Sequence, residues 1–300
     1  MKNQSIIGFL YLVLSNLSYS QINHTFDGQI ALNHIERQVS LGPRSITVPE
    51  TKALTHQYIV NILSKYTTRL ISQPFESNKL EGHNIWATFP RDNKSGTDIR
   101  FMLGAHWDTR PQSELDNNPE NRDVPSPGAN DGGSGVAVLL EIARILSMKP
   151  APVTVDLIFF DLEDLGNIDN LPFAIGADQF VKKNSFYKPH KGIIVDMVCD
   201  KNLLIPKELF SKKYSRELQD EIWSVAKNLG ATVFSDENGS HIIDDHLPLI
   251  QAGMNVVNLI HYPFPSYWHT TQDTPENCSA DSLSQVGKVI LTLIYNQDNT

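Results

Sequence analysis

Apolar runs of strand period alternate with stripes of helical period along most of this chain, and that alternation restricts the fold more than any other feature. Residues 83–89, 99–105, 153–160, 192–198 and 255–260 read as strands. Val136, Leu139, Leu140, Ala143 and Leu146 fall on one helical face within 131–147, as do Leu283, Val286, Ile290 and Leu293 within 280–294. Nearer the start, Ala31, Ile35 and Val39 follow Asp27, a residue suited to capping a helix. Pro49 suits the first turn of a second helix, with Leu54, Tyr58 and Ile62 as its apolar stripe. Strands and helices in this order predict an α/β fold, a three-layer sandwich whose mixed, mostly parallel central β-sheet is flanked by helices. Without repeats or a convincing linker, residues 21–300 read as a single domain.

The 300 residues carry a net charge of −9, which argues against nucleic acid as a partner, because phosphate binding needs a basic face. The first twenty residues have a different character. Lys2 precedes an apolar stretch from Ile6 to Leu14, and Ser18-Tyr19-Ser20 offers a small-x-small cleavage site. This is the pattern of a secretory signal peptide over residues 1–20, so the protein is expected to be exported, periplasmic or extracellular. Cleavage after Ser20 would expose Gln21 as the new first residue. No stretch of the remaining chain is apolar for the ~20 residues that a membrane span requires. Cys199 and Cys278 are the two cysteines. Export permits them to pair, but the sequence leaves open whether they meet.

Four segments concentrate polar residues at the ends of the expected strands, where ligands bind in open α/β sheets. In LGAHWDTRP, His106 and Asp108 lie two apart, so on a continuing strand they face one side. The pair reads equally as metal ligands or as a hydrogen-bonded pair. In SPGANDGGSG, Asp131 sits in a glycine-rich bend before a helix, either capping it or facing a ligand. The strand VTVDLIFF ends in Asp161, Glu163 and Asp164, and three carboxylates at the end of a buried strand repel unless a cation or shared proton relieves them. In YPFPSYWHTTQDTPENC, Pro263 and Pro265 hold the approach to His269 extended, and Tyr267 and Trp268 suggest the edge of an aromatic pocket. Asp196 ends the strand GIIVD, and Asp244-Asp245-His246 opens a short apolar helix. The patternless stretch 109–130 connects two of these motifs and is expected to be functional rather than idle. Asp131, Asp164 and His269 together satisfy a zinc ion with one tetrahedral position open, as in a catalytic site.

The ordered set HWD, GANDGGSG, FFDLED, VD and WHTTQDTPEN resembles the zinc aminopeptidase superfamily that also contains the glutaminyl cyclases. The resemblance runs from about Ile30 to the C-terminus. Within it, DDHLPLI and FPSYWHT look like the cyclases, and the Glu163-Asp164 pair looks like their bacterial branch. The resemblance implies one zinc per chain, held by Asp131, Asp164 and His269. It makes Glu163 the general acid/base and Asp196 the partner of the scissile amide nitrogen, with Asp244 in the same hydrogen-bonded network. Trp268 would wall the substrate pocket. The animal enzymes carry a tryptophan shortly after the acidic pair, which this chain lacks, so Phe173 or Trp107 is expected to supply the wall on that side. The resemblance also implies a strained cis peptide after Asp131, which Gly132 would ease. His106 and Asp108 match positions that ligate metal in the two-zinc peptidases and usually do not in cyclases, and they are left outside the metal shell.

The implied reaction converts an N-terminal glutamine of peptides or proteins to pyroglutamate with release of ammonia, making the enzyme a zinc-dependent acyltransferase expected to act as a monomer. Two rivals stand beside it. A secreted two-zinc aminopeptidase would use His106 and Asp108 as additional ligands. A non-catalytic peptide-binding module would keep the fold without the chemistry. Asn238-Gly239-Ser240 matches a glycosylation acceptor, although the bacterial-like features argue against that use.

Overall fold

The middle of the chain is built from strands that are buried on both faces. In Arg100–His106, Phe101, Leu103 and Ala105 enter one apolar cluster, while Met102 enters another on the opposite side. A strand of this kind is stable only between two layers of helices. The computed structural model describes residues 25–92 and 98–299 and contains that arrangement. The expected signal peptide and Gln21 lie outside the described residues.

In chain order the elements are α1 (Gly28–Leu41), α2 (Pro49–Leu63), β1 (Leu70–Ser77), β2 (Leu80–Phe89), β3 (Arg100–His106), α3 (Gly133–Met148), β4 (Thr154–Phe160) and α4 (Ile175–Lys183). There follow β5 (Lys191–Asp196), β6 (Ile205–Lys207), α5 (Leu209–Tyr214), α6 (Arg216–Leu229), β7 (Phe234–Asn238), α7 (His246–Gln251), β8 (Val256–Ile260) and α8 (Ala280–Tyr295). Six strands form one sheet in the order β1-β2-β4-β3-β5-β8. The four from β4 to β8 are parallel, and the β1–β2 hairpin adds an antiparallel edge. Strands β6 and β7 pair separately. The fold is therefore α/β, with a mostly parallel sheet between helical layers.

The two layers differ in weight. Helices α1, α2, α3, α6 and α8 share the larger cluster, which includes Ile35, Ile59, Leu139, Ile222 and Ile290. Helices α4 and α7 cover the other face through Phe180, Leu249 and Ile250. Helix α3 is apolar almost all round and buried from Gly133 to Ala143. It lies so close to the sheet that a Cβ on Gly135 would stand 2.1 Å from the carbonyl oxygen of Val195. Asp27 caps α1 by accepting from the backbone N–H groups of Gln29 and Ile30. The expected stripe of α2 is corrected by the structure. Leu54 is 53% exposed, and the buried residues are Thr55, Ile59 and Leu63, because α2 turns the face of Ile59 and Leu63 into the larger cluster beside α1 and α3.

The sheet order sets the place of the site. From β3 the chain crosses to β4 on one side, and from β4 it returns to β5 on the other. The carboxyl ends of β3, β4 and β5 therefore meet where the winding reverses, which is where open α/β sheets leave a crevice.

Candidate metal centre and catalytic pocket

Two groups of buried side chains meet at that crevice, and they share Asp131. Ligand atoms of Asp131, Asp164 and His269 lie within 4.8 Å of one another, and so do those of His106, Asp131 and Asp196. In the first group, His269 Nε2 is 3.2 Å from Asp164 Oδ1 and 3.6 Å from Asp131 Oδ2. Ligands about 2.0–2.1 Å from a tetrahedral zinc would stand roughly 3.3 Å apart, so the group has the size of a zinc cage. Asp164 Oδ2 is buried without a hydrogen-bond partner, a costly state for a carboxylate oxygen unless a cation meets it. Burial, reinforced by Asp131, pushes Asp164 up to about 6. Burial would lower His269, but Asp164 and Glu114 outweigh it and lift the imidazole to about 9. The donor set and its crowding fit a divalent ion.

Backbone geometry aims these groups. Leu162 (φ 58°), Met197 (φ 47°) and His269 (φ 54°) all lie in the left-handed region, one in each of the three loops that follow β4, β5 and β8 to the crevice. Such residues are uncommon outside glycine and collect at functional sites. Asp131 precedes Gly132, whose φ of 77° places its missing Cβ 2.7 Å from the carbonyl oxygen of Asp108 and 2.9 Å from the His106 ring. A side chain there would collide with both. Gly132 is also the N-cap position that precedes α3, which has no side-chain cap, so the Asp131 carboxylate is not used as a helix cap. The expected cis peptide after Asp131 is absent; among the described residues the cis bond is Tyr262–Pro263.

Several residues that the sequence did not single out hold the ligands in place. Glu114 Oε1 lies 2.9 Å from His269 Nδ1, and Arg110 donates both to Glu114 and to the carbonyl oxygens of Asp164 and Gly166. Burial would raise Glu114, but His269 and Arg110 hold it down to about 2. Both residues come from the patternless stretch 109–130. Asp273 accepts from the backbone N–H groups of Asn130 and Asp131, and buried Arg44 donates to the carbonyl oxygens of Trp107, Pro127, Gly128 and Asp131. These contacts go to the backbone, for which no side-chain pattern could have been read.

Among the described residues Asp108 stands in neither metal group, in keeping with its place outside the expected metal shell: its carboxylate accepts from the N–H groups of Glu163 and Asp164, fixing the turn that presents both acids. The residue that joins His106 and Asp131 is instead Asp196, with His106 Nε2 at 3.1 Å from Asp131 and 3.2 Å from Asp196. Trp107 does not wall the pocket, because alternation along the strand end turns it away. Its indole donates to the carbonyl oxygen of His83 and lines a separate cavity with Lys52 and His56.

The pocket itself has a volume of about 340 Å³. Asp131, Glu163, Asp164, Asp196, Asp244 and His269 face it, and Phe173, Ile242, Tyr262, Phe264 and Trp268 form its apolar walls. Trp268 stacks on His269 with ring centroids 3.7 Å apart. Burial, opposed by His106 but assisted by Asp244, Asp245 and Asp164, pushes Glu163 well above the usual carboxylate range. Burial likewise lifts Asp196 to about 7 despite the opposing charge of His106. Asp244 accepts from Asn258 Nδ2 at 2.6 Å.

The disulfide question is answered by the structure: Cys199 and Cys278 are bonded, with Cα atoms 4.6 Å apart. Cys199 N donates to Asn130 Oδ1, Asn130 donates to the Tyr267 hydroxyl, and Tyr267 donates to Asp200. One network thus joins the loops that carry Asp131, Asp196 and His269.

Comparison with known proteins gives the same architecture. The crystal structure of Bacteroides thetaiotaomicron glutaminyl cyclase bound to N-acetylhistamine superposes with a TM-score of 0.84 at 30% identity, covering 91% of this chain and 99% of that one. The Tannerella forsythia glutaminyl cyclase has a TM-score of 0.83 and 33% identity over 91% of this chain and 99% of that one. Aminopeptidase YwaD of Bacillus subtilis (strain 168) is 28% identical over 259 residues, 81% of this chain and 49% of that protein. The chain spans roughly half to three-fifths of the length of the first curated relatives it matches. The family described as peptidase family M28 matches residues 84–294, a span that takes in both buried groups and every wall of the pocket, and on that match the chain belongs to peptidase family M28.

Proposed function

We propose that this protein is a glutaminyl-peptide cyclotransferase, converting the N-terminal glutamine of peptides and proteins to pyroglutamate with release of ammonia. The observation that carries the reading is the pocket: a metal-sized triad, one acid of raised pKa and one carboxylate at its side, closed by aromatic walls, in a chain similar over 91% of its length to bacterial glutaminyl cyclases. Asp131, Asp164 and His269 would hold a single zinc ion, which when bound supplies a Lewis acid for the γ-carbonyl of the substrate.

The chain's own residues do the rest. Glu163 takes a proton from the attacking α-amine and returns it to the departing nitrogen, so one ammonia leaves as the ring closes. A carboxyl pushed upward in pKa is suited to accepting and returning a proton. Asp196 hydrogen-bonds the amide nitrogen, and Asp244, held by Asn258, keeps the acidic network in register. Phe173 and Trp268 hold the substrate in the folded shape in which amine and carbonyl meet. Nucleophile and electrophile belong to one residue, so positioning supplies much of the rate. Residues 1–20 act as a signal peptide in this reading, and the Cys199–Cys278 bond fits an oxidising destination in the periplasm or outside the cell. Residues 21–300 work as one domain, as a monomer.

The test is ammonia release from a Gln-peptide, with and without a chelator. Glu163→Gln should lower turnover by roughly 10²-fold or more while zinc stays bound. Near-native turnover in that variant would sink the assignment. His269→Ala should instead lose the metal, visible by elemental analysis. The second reading, a two-zinc aminopeptidase, is favoured by the group His106–Asp131–Asp196. Two zinc ions per chain and amino-acid release from Leu- or Ala-peptides would establish it.

A further inference from the structure

A second cavity, of about 430 Å³, adjoins the catalytic pocket, and the two are lined in common by Phe173 and Ile243. Its walls are mostly apolar: Pro172 contributes from the segment before α4, Ile175 from the start of α4, and Leu247 and Pro248 from α7. At its rim Asp178 and Lys182 form an ion pair at 2.5 Å, so their charges cancel. The catalytic pocket, by contrast, is crowded with carboxylates.

The edge shared by the two cavities has an unusual backbone on its Phe173 side. Asn167, Asp169, Asn170 and Ala174 all adopt left-handed backbone angles, a conformation that alanine in particular does not choose for itself. The Phe173 ring lies where a Cβ on Gly166 would be, 2.0 Å from it, and the Arg110 guanidinium stands 5.9 Å from the ring centre. Phe173 is thus seated by the same arginine that holds Asp164 and Glu114. Facing it, Ile243 is 58% exposed although it is β-branched and wholly apolar. It precedes Asp244, which faces the reacting centre.

We infer that the second cavity receives the residues that follow the N-terminal glutamine of the substrate, and that it selects peptides with apolar side chains at the second and third positions. This rests on the cyclase reading. A glutamine seated in the catalytic pocket must let its own peptide chain leave, and the shared Phe173–Ile243 edge leads directly from the pocket to apolar surface. An apolar side chain carried over that edge leaves water for Pro172, Ile175 and Leu247. A glycine has nothing to place there, and an acidic side chain would lose hydration without a free cation to meet it.

The experiment compares kcat/KM for ammonia release from Gln-Leu-Leu, Gln-Gly-Gly and glutaminamide by the zinc-loaded protein. The leucine peptide should exceed the glycine peptide by roughly 10-fold, the scale of discrimination for a modest difference in apolar contact. Ile243→Asp and Leu247→Asp should each shrink that ratio by at least about threefold. Ile243 is largely exposed, so its replacement does not depend on repacking a core. Equal rates on the two peptides in the native protein, or a ratio that both variants leave unchanged, would overturn the groove while leaving the cyclase reading intact. No ammonia from any of the three substrates would overturn the cyclase reading itself, and the groove with it.

Discussion

His269 cannot be a good ligand by itself. Its imidazole must present Nε2 to the metal with the ring fixed, and that depends on what Nδ1 touches. Glu114 Oε1, at 2.9 Å, and Arg110 behind it fix the ring. Replacing Glu114 with Ala should weaken zinc retention by roughly 10–100-fold, measured by competition with a chromogenic chelator. Glu114→Gln should recover part of the loss, since its carbonyl oxygen can still accept from Nδ1. Native retention in the alanine variant would show that the contact is idle. Asp131, Asp164 and His269 could be singled out in the sequence because strand-end acids and an aromatic-flanked histidine carry their own signal. Glu114 could not, because its neighbours have no period. The importance of Asp108 was legible, but its role was not. Spacing places a side chain on a face without saying whether it meets a metal or a backbone N–H.

Among the elements, α5 shows how a short helix is held by one carboxylate. Glu208 accepts from the N–H groups of Phe210 and Ser211, from the Ser211 hydroxyl and from the N–H of Ile242, and lies 3.2 Å from His246 Nε2. It therefore caps α5 and ties it to the segment that carries Ile243 and Asp244. Burial would raise its carboxyl, but His246 and Ser211 outweigh that and hold it down to about 2, against 4.5 for an unperturbed glutamate. A depressed pKa in the folded state stabilises the protein above about pH 4.5, and the contribution disappears as pH falls through about 2. Glu208→Ala should cost on the order of 1–3 kcal/mol near neutral pH, and the gap from native protein should close in acid. Denaturant titrations at pH 7 and at low pH check this; a gap that does not narrow on acidification would refute it. The buried strands were legible in the sequence, since burial on both faces enforces continuous apolar runs, and so were α1, α2, α3 and α8, but not α6. Strands β1, β6 and β7 were not. In β1 only Phe75 is buried and Pro74 interrupts the pattern, while Phe234–Asn238 is half-exposed or exposed throughout. An edge strand is defined by its partner more than by its own residues.

At the scale of the molecule, the alternation of strands and helices predicted the layers, but the strand order depends on which crossover passes to which side, and no local pattern encodes that. The same limit applied to the cysteines, whose meeting follows from the topology. The chain leaves β5, passes through β6, α5, α6, β7, α7 and β8, and returns to the start of α8 beside Cys199, 79 residues later. Ser279, which caps α8, donates its backbone N–H to the carbonyl oxygen of Cys199, so the bond and the cap share one joint. Closing a loop of this length removes much unfolded-chain entropy, and opening it should lower stability by about 2–4 kcal/mol. The folded site is less exposed to that loss. Asn130 and Tyr267 still join the three catalytic loops after reduction, and Asp273 still holds Asp131 by its backbone. Reductant, or the double change Cys199→Ser and Cys278→Ser, should therefore move the denaturation midpoint well down while leaving zinc stoichiometry at room temperature as it was. A midpoint that ignores reductant would remove the bond from the stability of the fold. Zinc lost in step with the bond would instead make the disulfide part of the metal site's support.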